Sequence, residues 1–377
     1  MRELFTKFLL ALAVCAGTFP LVGCNDDDDP VRNRPEVIPD TGTLYFTAGS
    51  YSKSFSVEVR NVSSWSLEVV FMGDAADWMT AEKKGDGVEV SVDPNDGAFR
   101  TATVFLKAPG MEDVPVVVEQ DAPLESDIIG TYVPKREETF GGFYLSTAWN
   151  EKGAPVLKLG EGMDISWELV EMLLPGIVGN YYFAQGLVSL DFKADATIGV
   201  EYHRVLFKED MSNILAPDFD TSEILVFPDE QTLAVMPLDA LTFYTKEGKL
   251  YFAVDKRFIA ESDPGTLEIP ICSFIDGLIT RYGLGIVSDD RAFAVPFKYG
   301  LQDGTLDVYV DREMMLPFKK LLVDVIGRLL PAMAAAGTDG DGTGLPAIDP
   351  KAVTDFVEQI FDNSTEFRIG VRFVGKD

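Results

Sequence analysis

Histidine is almost missing from this chain. His203 is the single one in 377 residues, so a two-histidine metal site is excluded, and any serine triad would need that one ring. Basic residues are also few, 32 Lys and Arg against 61 Asp and Glu. The net charge of −29 and a pI near 4.3 argue against nucleic acid as a partner, because a polyanion requires clustered cations. The same charge favours solubility beside an anionic cell surface. Beyond the N-terminal segment, no run of about 18 apolar residues is free of charge, so no later stretch reads as a spanning helix. The sequence has no Gly-x-Ser-x-Gly elbow, Walker loop or Rossmann fingerprint. No catalytic residue, metal ligand or cofactor is therefore assigned. His203 lies on the alternating run Val200–Leu206 and reads as an ordinary strand residue in a polar environment. A carboxylate pair for glycoside hydrolysis is defined by separation in space, and the sequence singles none out.

The first residues carry the strongest pattern. Arg2 and Lys7 make a short positive region, and Phe8–Ala16 supply an apolar run too short to cross a roughly 30 Å hydrocarbon core. Leu21-Val22-Gly23-Cys24 comes next, two apolar residues, a small one and a cysteine. This resembles a lipobox, which implies that residues 1–23 are a lipoprotein signal peptide and that Cys24 becomes a lipidated N-terminus. Acyl chains contribute about 0.8 kcal/mol per buried CH₂, so an anchor of several chains, palmitate-like, is durable where one chain is marginal.

Residues 24–36 are an acidic, proline-punctuated tether that repels itself and cannot pack a core. Asp26-Asp27-Asp28-Asp29 within it resembles the acidic export tag of Bacteroidota lipoproteins, which implies display on the outer face of the outer membrane. With Cys15 removed in the signal and Cys24 lipidated, Cys272 is the last thiol, and an intramolecular disulfide is excluded. Its setting, Ile269-Pro270-Ile271-Cys272-Ser273-Phe274-Ile275, predicts a buried apolar thiol rather than a nucleophile.

A mature chain of this length suggests two domains, with a boundary at Ala122-Pro123-Leu124-Glu125-Ser126. Residues 37–122 read as short alternating strands at Leu44–Phe46, Ser54–Val59, Trp65–Phe71, Val88–Val92, Ala102–Leu106 and Val114–Val118. Strong turn chemistry separates them at Lys84–Gly87 and Asp93–Gly97, the pattern of a β-sandwich. The ordered set Val62–Leu67, Asp77-Trp78-Met79-Thr80, Gly85/Gly87, Val88–Val92, Asn95, Arg100–Val104 and Val116–Gln120 resembles a BACON domain (Bacteroidetes-associated carbohydrate-binding often N-terminal). The resemblance implies an immunoglobulin-like sandwich and an association with glycans. Trp65 and Trp78 read as core packing rather than sugar platforms, because a sandwich of this size needs large aromatics inside.

Residues 127–377 read as a larger β-rich domain with helices. Gly248–Lys256 echoes Gly304–Arg312 in character, each after an aromatic strand, and Asp195–Tyr202 is a looser third copy. These are repeated hairpins with Glu247-Gly248 and Asp303-Gly304 as turns. Helical spacing marks Met314–Met333, Ser166–Val178, Thr266–Tyr282 and Lys351–Phe361, and Phe367–Phe373 alternates as a closing strand. Opening on Ile129-Gly130-Thr131-Tyr132-Val133 and closing on a terminal strand suggests a barrel or curled sheet. The Gly-x-Tyr start resembles the first strand of calycins, the lipocalin-like barrels. Asp339-Gly340-Asp341-Gly342-Thr343-Gly344 has calcium-loop spacing, but Pro350 stands at the twelfth position, so it reads as a linker.

The expectation is therefore a mainly β, surface-anchored lipoprotein with a lipid anchor in the membrane, glycans as possible partners and a non-enzymatic binding or accessory role. Two alternatives stay open: a carrier of a hydrophobic ligand in a calycin-like barrel, and a glycan-processing enzyme.

Overall fold

The computed structural model describes residues 35–49, 51–73, 77–158, 164–203, 206–207, 225–226, 233–237, 240–261, 270–336 and 349–376. Cys24, Asp26, Asp27, Asp28, Asp29 and the Asp339–Gly344 loop lie outside the described residues. The chain is mainly β. Its described residues form two compact units: one holds 35–126 with the short turn 193–197, the other 127–192 and the residues from Ile198 onward.

The first unit is an immunoglobulin-like sandwich. Its strands are β1 (Glu36–Pro39), β2 (Thr43–Phe46), β3 (Tyr51–Arg60), β4 (Ser66–Met72), β5 (Met79–Lys84), β6 (Gly87–Val92), β7 (Arg100–Lys107) and β8 (Val114–Gln120). They pair as β1-β3-β6-β5 in one sheet and β2-β8-β7-β4 in the other. The β2–β8 pair is parallel. Period-two alternation sends Val88, Val90, Val92, Ala102, Val104, Leu106, Val116 and Val118 inward, all fully or almost fully buried. Two strands had no apolar run to announce them. β1 is a four-residue edge strand ending on a proline, where edge position tolerates the missing donor. β5 reads Met-Thr-Ala-Glu-Lys-Lys and qualifies because Met79 and Ala81 alone need to face the core.

A buried amide ties the two sheets at one end. Gln120 of β8 is fully buried; its Nε2 donates to the carbonyls of Gly49 and Asp93, each at 3.0 Å, and its Oε1 accepts from Arg100 Nε at 2.8 Å. Both amide N–H groups and the carbonyl are engaged, which is what makes a buried amide tolerable.

The second unit is a curled sheet with helices. Its strands are β9 (Gly130–Pro134), β10 (Phe143–Trp149), β11 (Val156–Lys158), β12 (Asp164–Ser166), β13 (Leu187–Phe192), β14 (Ile198–His203), β15 (Leu206–Phe207), β16 (Leu225–Val226) and β17 (Leu233–Val235). They continue as β18 (Leu241–Lys246), β19 (Lys249–Asp255), β20 (Val287–Ser288), β21 (Ala292–Gln302), β22 (Thr305–Asp311) and β23 (Ser364–Gly375). The main sheet runs β17-β14-β13-β9-β23-β22-β21-β19-β18, with β10 paired to β23 and β20 to β21. Among the described residues no hydrogen-bonded ladder joins β17 to β18, so the sheet curls as a half-barrel rather than closing. The first and last strands of this unit are neighbours, β23 pairing with β9. In both predicted hairpins the two turn residues take positive φ, Glu247 and Gly248 at 52° and 69°, Asp303 and Gly304 at 50° and 72°. That is the type I′ turn whose twist matches the strands.

The helices are α1 (Trp167–Leu174), α2 (Lys256–Glu261), α3 (Ile271–Tyr282), α4 (Arg312–Ala336) and α5 (Pro350–Asn363). α5 starts where capping chemistry dictates: Asp349 accepts from Lys351 N, and Pro350 occupies the first turn. α3 ends on Gly283 in the left-handed conformation. The helix expected over Ser166–Val178 stops short. Pro175 lacks the N–H that would bond one turn back, and from there to Gly186 the chain runs in wider π-helical turns.

Candidate functional site

The inner face of the curled sheet comes from strand alternation. On β13 and β14 it carries Leu190, Phe192, Ile198, Val200 and Tyr202; on β18 and β19, Leu241, Phe243, Leu250 and Phe252; on β21 to β23, Phe297, Val308, Val310, Ile369, Val371 and Phe373. The cross-strand pairs Val308↔Val371, Val310↔Ile369 and Phe143↔Val371 put these side chains on one side.

The face is filled at one end and open in the middle. Phe192 meets Phe243 edge to face at 4.9 Å between centroids, and Tyr132 at 5.8 Å. Phe252 packs beside them at 6.0 Å from Phe192. Burial in this cluster holds the Tyr132 phenol above its usual pKa, with Asp127 adding to the shift. Four residues along the β10–β23 pair from Phe143 and Val371, a second aromatic cluster gathers at Thr147 and Phe367. Trp167 of α1 lies 5.2 Å from Trp149, 6.1 Å from Phe356 of α5 and 6.4 Å from Phe367. Its indole N–H is shared between Glu171 Oε1 at 2.8 Å and Thr147 Oγ1 at 3.1 Å.

Next to the first cluster lies a cavity of about 600 Å³. Its walls are Leu187, Leu190, Val200, Tyr202, His203, Met236 and Leu241 on one side, and Phe252, Phe297, Val308, Tyr309, Val310, Ile369, Gly370, Val371 and Phe373 on the other, with Phe143 beside them. The π-helical segment contributes Tyr182, Phe183 and Gly186. Phe183 stacks on Phe143 with centroids 5.6 Å apart and planes 16° apart, which fastens this segment to the sheet. Gly141, at φ +65°, allows the close approach: a Cβ there would sit 2.6 Å from Ala184 N. Burial raises the Tyr182 phenol above its ordinary pKa, so it stays a neutral group at the wall.

The opposite face of the same strands holds the charges. Arg372 lies over the Tyr144 ring at 4.6 Å and Arg368 over Tyr309 at 4.4 Å. Tyr144 Oη donates to Asp307 at 2.9 Å, and Arg372 pairs with Glu138 at 2.9 Å. Lys298 pairs with Asp311.

The residues singled out from sequence are scattered. His203 ends β14 and is among the residues of the cavity wall. Cys272 is half-buried on α3, packed with Ile259, Ile271 and Phe293, and its Sγ donates to the Lys256 carbonyl at 3.4 Å. Trp78 is 3% exposed and belongs to the sandwich core; Trp65 packs against that core from its edge, with Lys83 Nζ 3.8 Å above its ring. Among the described residues no group of three or more His, Cys, Asp or Glu is placed to hold a metal ion, and no helix is long and apolar enough to cross a membrane. The cavity itself was not anticipated at the residue level. Alternation tells which side chains point inward, but not that Leu190, Val200, Val308 and Val371 leave space between them.

No protein-family model matches the chain, and no curated protein matches it. Among solved structures, part of the chain is similar to a Bacteroides ovatus GH5 xyloglucanase in complex with a XXXG heptasaccharide. The identity is 23% and the TM-score 0.20, over 26% of this chain and 21% of the xyloglucanase. The chain thus spans about a fifth of that enzyme's length. A mutant of the SrpA adhesin from Streptococcus sanguinis is similar at 10% identity and TM-score 0.20, over 45% of this chain and 89% of the adhesin.

Proposed function

We propose that this chain is a surface-anchored, non-enzymatic lipoprotein whose larger unit binds an apolar ligand inside its curled sheet. The cavity carries the reading. Its walls are almost wholly apolar, so water there gains few hydrogen bonds and an apolar occupant is favoured. The volume falls in the range of roughly 300–1,000 Å³ typical of small-molecule sites. The anchoring half of the proposal draws on Leu21–Cys24 and Asp26–Asp29. The glycan-associated reading draws on residues 37–122 and their BACON resemblance. Neither tryptophan singled out in the sandwich stands free as a sugar platform: Trp78 is buried and Trp65 is covered by Lys83.

The test is a titration of the purified protein with N-phenyl-1-naphthylamine, an uncharged dye that brightens in apolar surroundings. Saturable binding at one dye per chain is expected, weakened at least tenfold in both Leu190→Trp and Val371→Trp, which fill the cavity from opposite walls. Absence of saturable binding, or undiminished binding in both folded variants, would overturn the proposal.

A further inference from the structure

We infer that the cavity selects uncharged ligands: a long-chain alcohol, an ester or a polycyclic neutral lipid rather than an ionised fatty acid or amine. The inference rests on the apolar-ligand reading and narrows it. Every described residue of the wall is aliphatic, aromatic, methionine or glycine, apart from His203. None of them carries an ammonium, guanidinium or carboxylate, and the Tyr202 phenol suits a ligand hydroxyl or carbonyl.

The strand register explains why. β23 brings two arginines to the cavity region, yet Arg368 and Arg372 alternate with Ile369, Val371 and Phe373, so their heads go to the other face of the sheet. There they are engaged, stacked over Tyr309 and Tyr144, and Arg372 is also paired with Glu138. Reaching inward would break those contacts. Lys298 is held similarly by Asp311 on β22.

A carboxylate drawn into such a site meets no opposite charge. It must either give up hydration uncompensated or enter protonated. At pH 8 a carboxylic acid with a pKa near 4.3 is neutral in fewer than about one molecule in 10³. Discrimination against the ionised head therefore has room to reach three orders of magnitude, reduced to the extent that the head stays at the water-facing end.

The experiment is competition at pH 8 between N-phenyl-1-naphthylamine and three sixteen-carbon ligands: hexadecanol, methyl hexadecanoate and hexadecanoate, with the purified protein and with Leu190→Trp. The alcohol and ester should displace the dye at concentrations at least tenfold below the carboxylate, and the filled variant should lose all three. Equal or stronger displacement by the carboxylate, with all three weakened in Leu190→Trp, would overturn charge selection while leaving the apolar-ligand reading intact. Failure of the dye and of every ligand to bind would overturn both. A parallel test with Val200→Phe guards against a Leu190→Trp variant that does not fold.

Discussion

Phe192 and Phe243 stand six places apart in the strand order of the larger sheet, yet their ring centroids are 4.9 Å apart and their planes meet at 85°. Only a sheet curled back toward itself brings β13 and β18 into side-chain contact. This pair therefore holds the two arms of the half-barrel together where no backbone ladder is described between its ends. Both rings are almost completely buried, at 1% exposure each. Phe192→Ala should cost about 3–5 kcal/mol, the usual penalty for deleting a buried large aromatic, and should also enlarge the neighbouring cavity. Hydrogen exchange resolved by peptide would show protection lost in both β13 and β18. Loss confined to β13 would mean that the contact does not couple the arms.

Gly370 offers a second test of the sheet, on its other face. A Cβ at that position would lie 2.6 Å from Tyr309 Cβ, 2.8 Å from Tyr144 Oη and 2.8 Å from the Val308 carbonyl oxygen. Two of these neighbours cannot swing away, since one is a Cβ and the other backbone. Gly370→Ala should therefore destabilise by roughly 1–3 kcal/mol, as overpacking does. Tyr144→Phe in the same chain removes only the hydroxyl contact, along with its bond to Asp307, so it should rescue little. Denaturant unfolding of the two single variants and the double gives the coupling directly. A stable Gly370→Ala protein would show that β22 and β23 can separate locally at little cost.

These two sites mark what the sequence discloses and what it withholds. The hairpins at Glu247-Gly248 and Asp303-Gly304 were legible because a type I′ turn needs positive φ at both positions and announces itself by residue type. The apolar alternation of β6, β7 and β8 was legible for the same local reason. β5 was legible only through the family resemblance at Asp77–Thr80, because partner strands rather than its own polar composition make it a strand. The π-helical turns after Leu174 replaced the predicted end of α1, since Pro175 removes one bond and the tertiary contacts of Phe183 set the path of the chain beyond it. The cavity was least legible. Its walls come from strands separated by most of the chain, and a void is the absence of contact between them, which no local pattern encodes.

The anchoring expectation concerns residues outside the described structure and is tested chemically. A thioether-linked lipid needs the Cys24 sulfur, so Cys24→Ala should leave the protein unprocessed or release it from membranes into the aqueous phase of a detergent partition. Partitioning equal to that of the unaltered protein would remove the lipoprotein reading. Replacing Asp26, Asp27, Asp28 and Asp29 by Ala should hide the folded part from protease added to whole cells. Unchanged accessibility would leave those aspartates as a tether alone.

Trp78 decides between core packing and sugar binding in the sandwich. Its ring is 3% exposed, meets Phe71 edge to face at 5.9 Å, and lies under the Arg100 guanidinium at 4.6 Å. Arg100 is itself fixed by Gln120 and the carbonyl of Asp93, so the indole is clamped from outside as well as within. Trp78→Ala should cost about 3–5 kcal/mol in the full chain. The buried Trp78 Nε1 has no hydrogen-bond partner among the described residues. An unsatisfied buried donor costs about 1–3 kcal/mol. Trp78→Phe removes that donor while keeping an aromatic ring, so its loss of volume is partly offset and the variant should fall less than about 1.5 kcal/mol short of the unaltered protein. A sugar platform predicts the opposite pattern, with stability unmoved by either change and glycan binding lost in Trp78→Ala. Denaturant unfolding with hydrogen exchange in β6 and β7, together with a glycan array probed with the same protein, separates the two. A Trp78→Ala protein that is fully stable but has lost a glycan bound by the unaltered protein would remove Trp78 from the core and move the glycan reading ahead of the cavity.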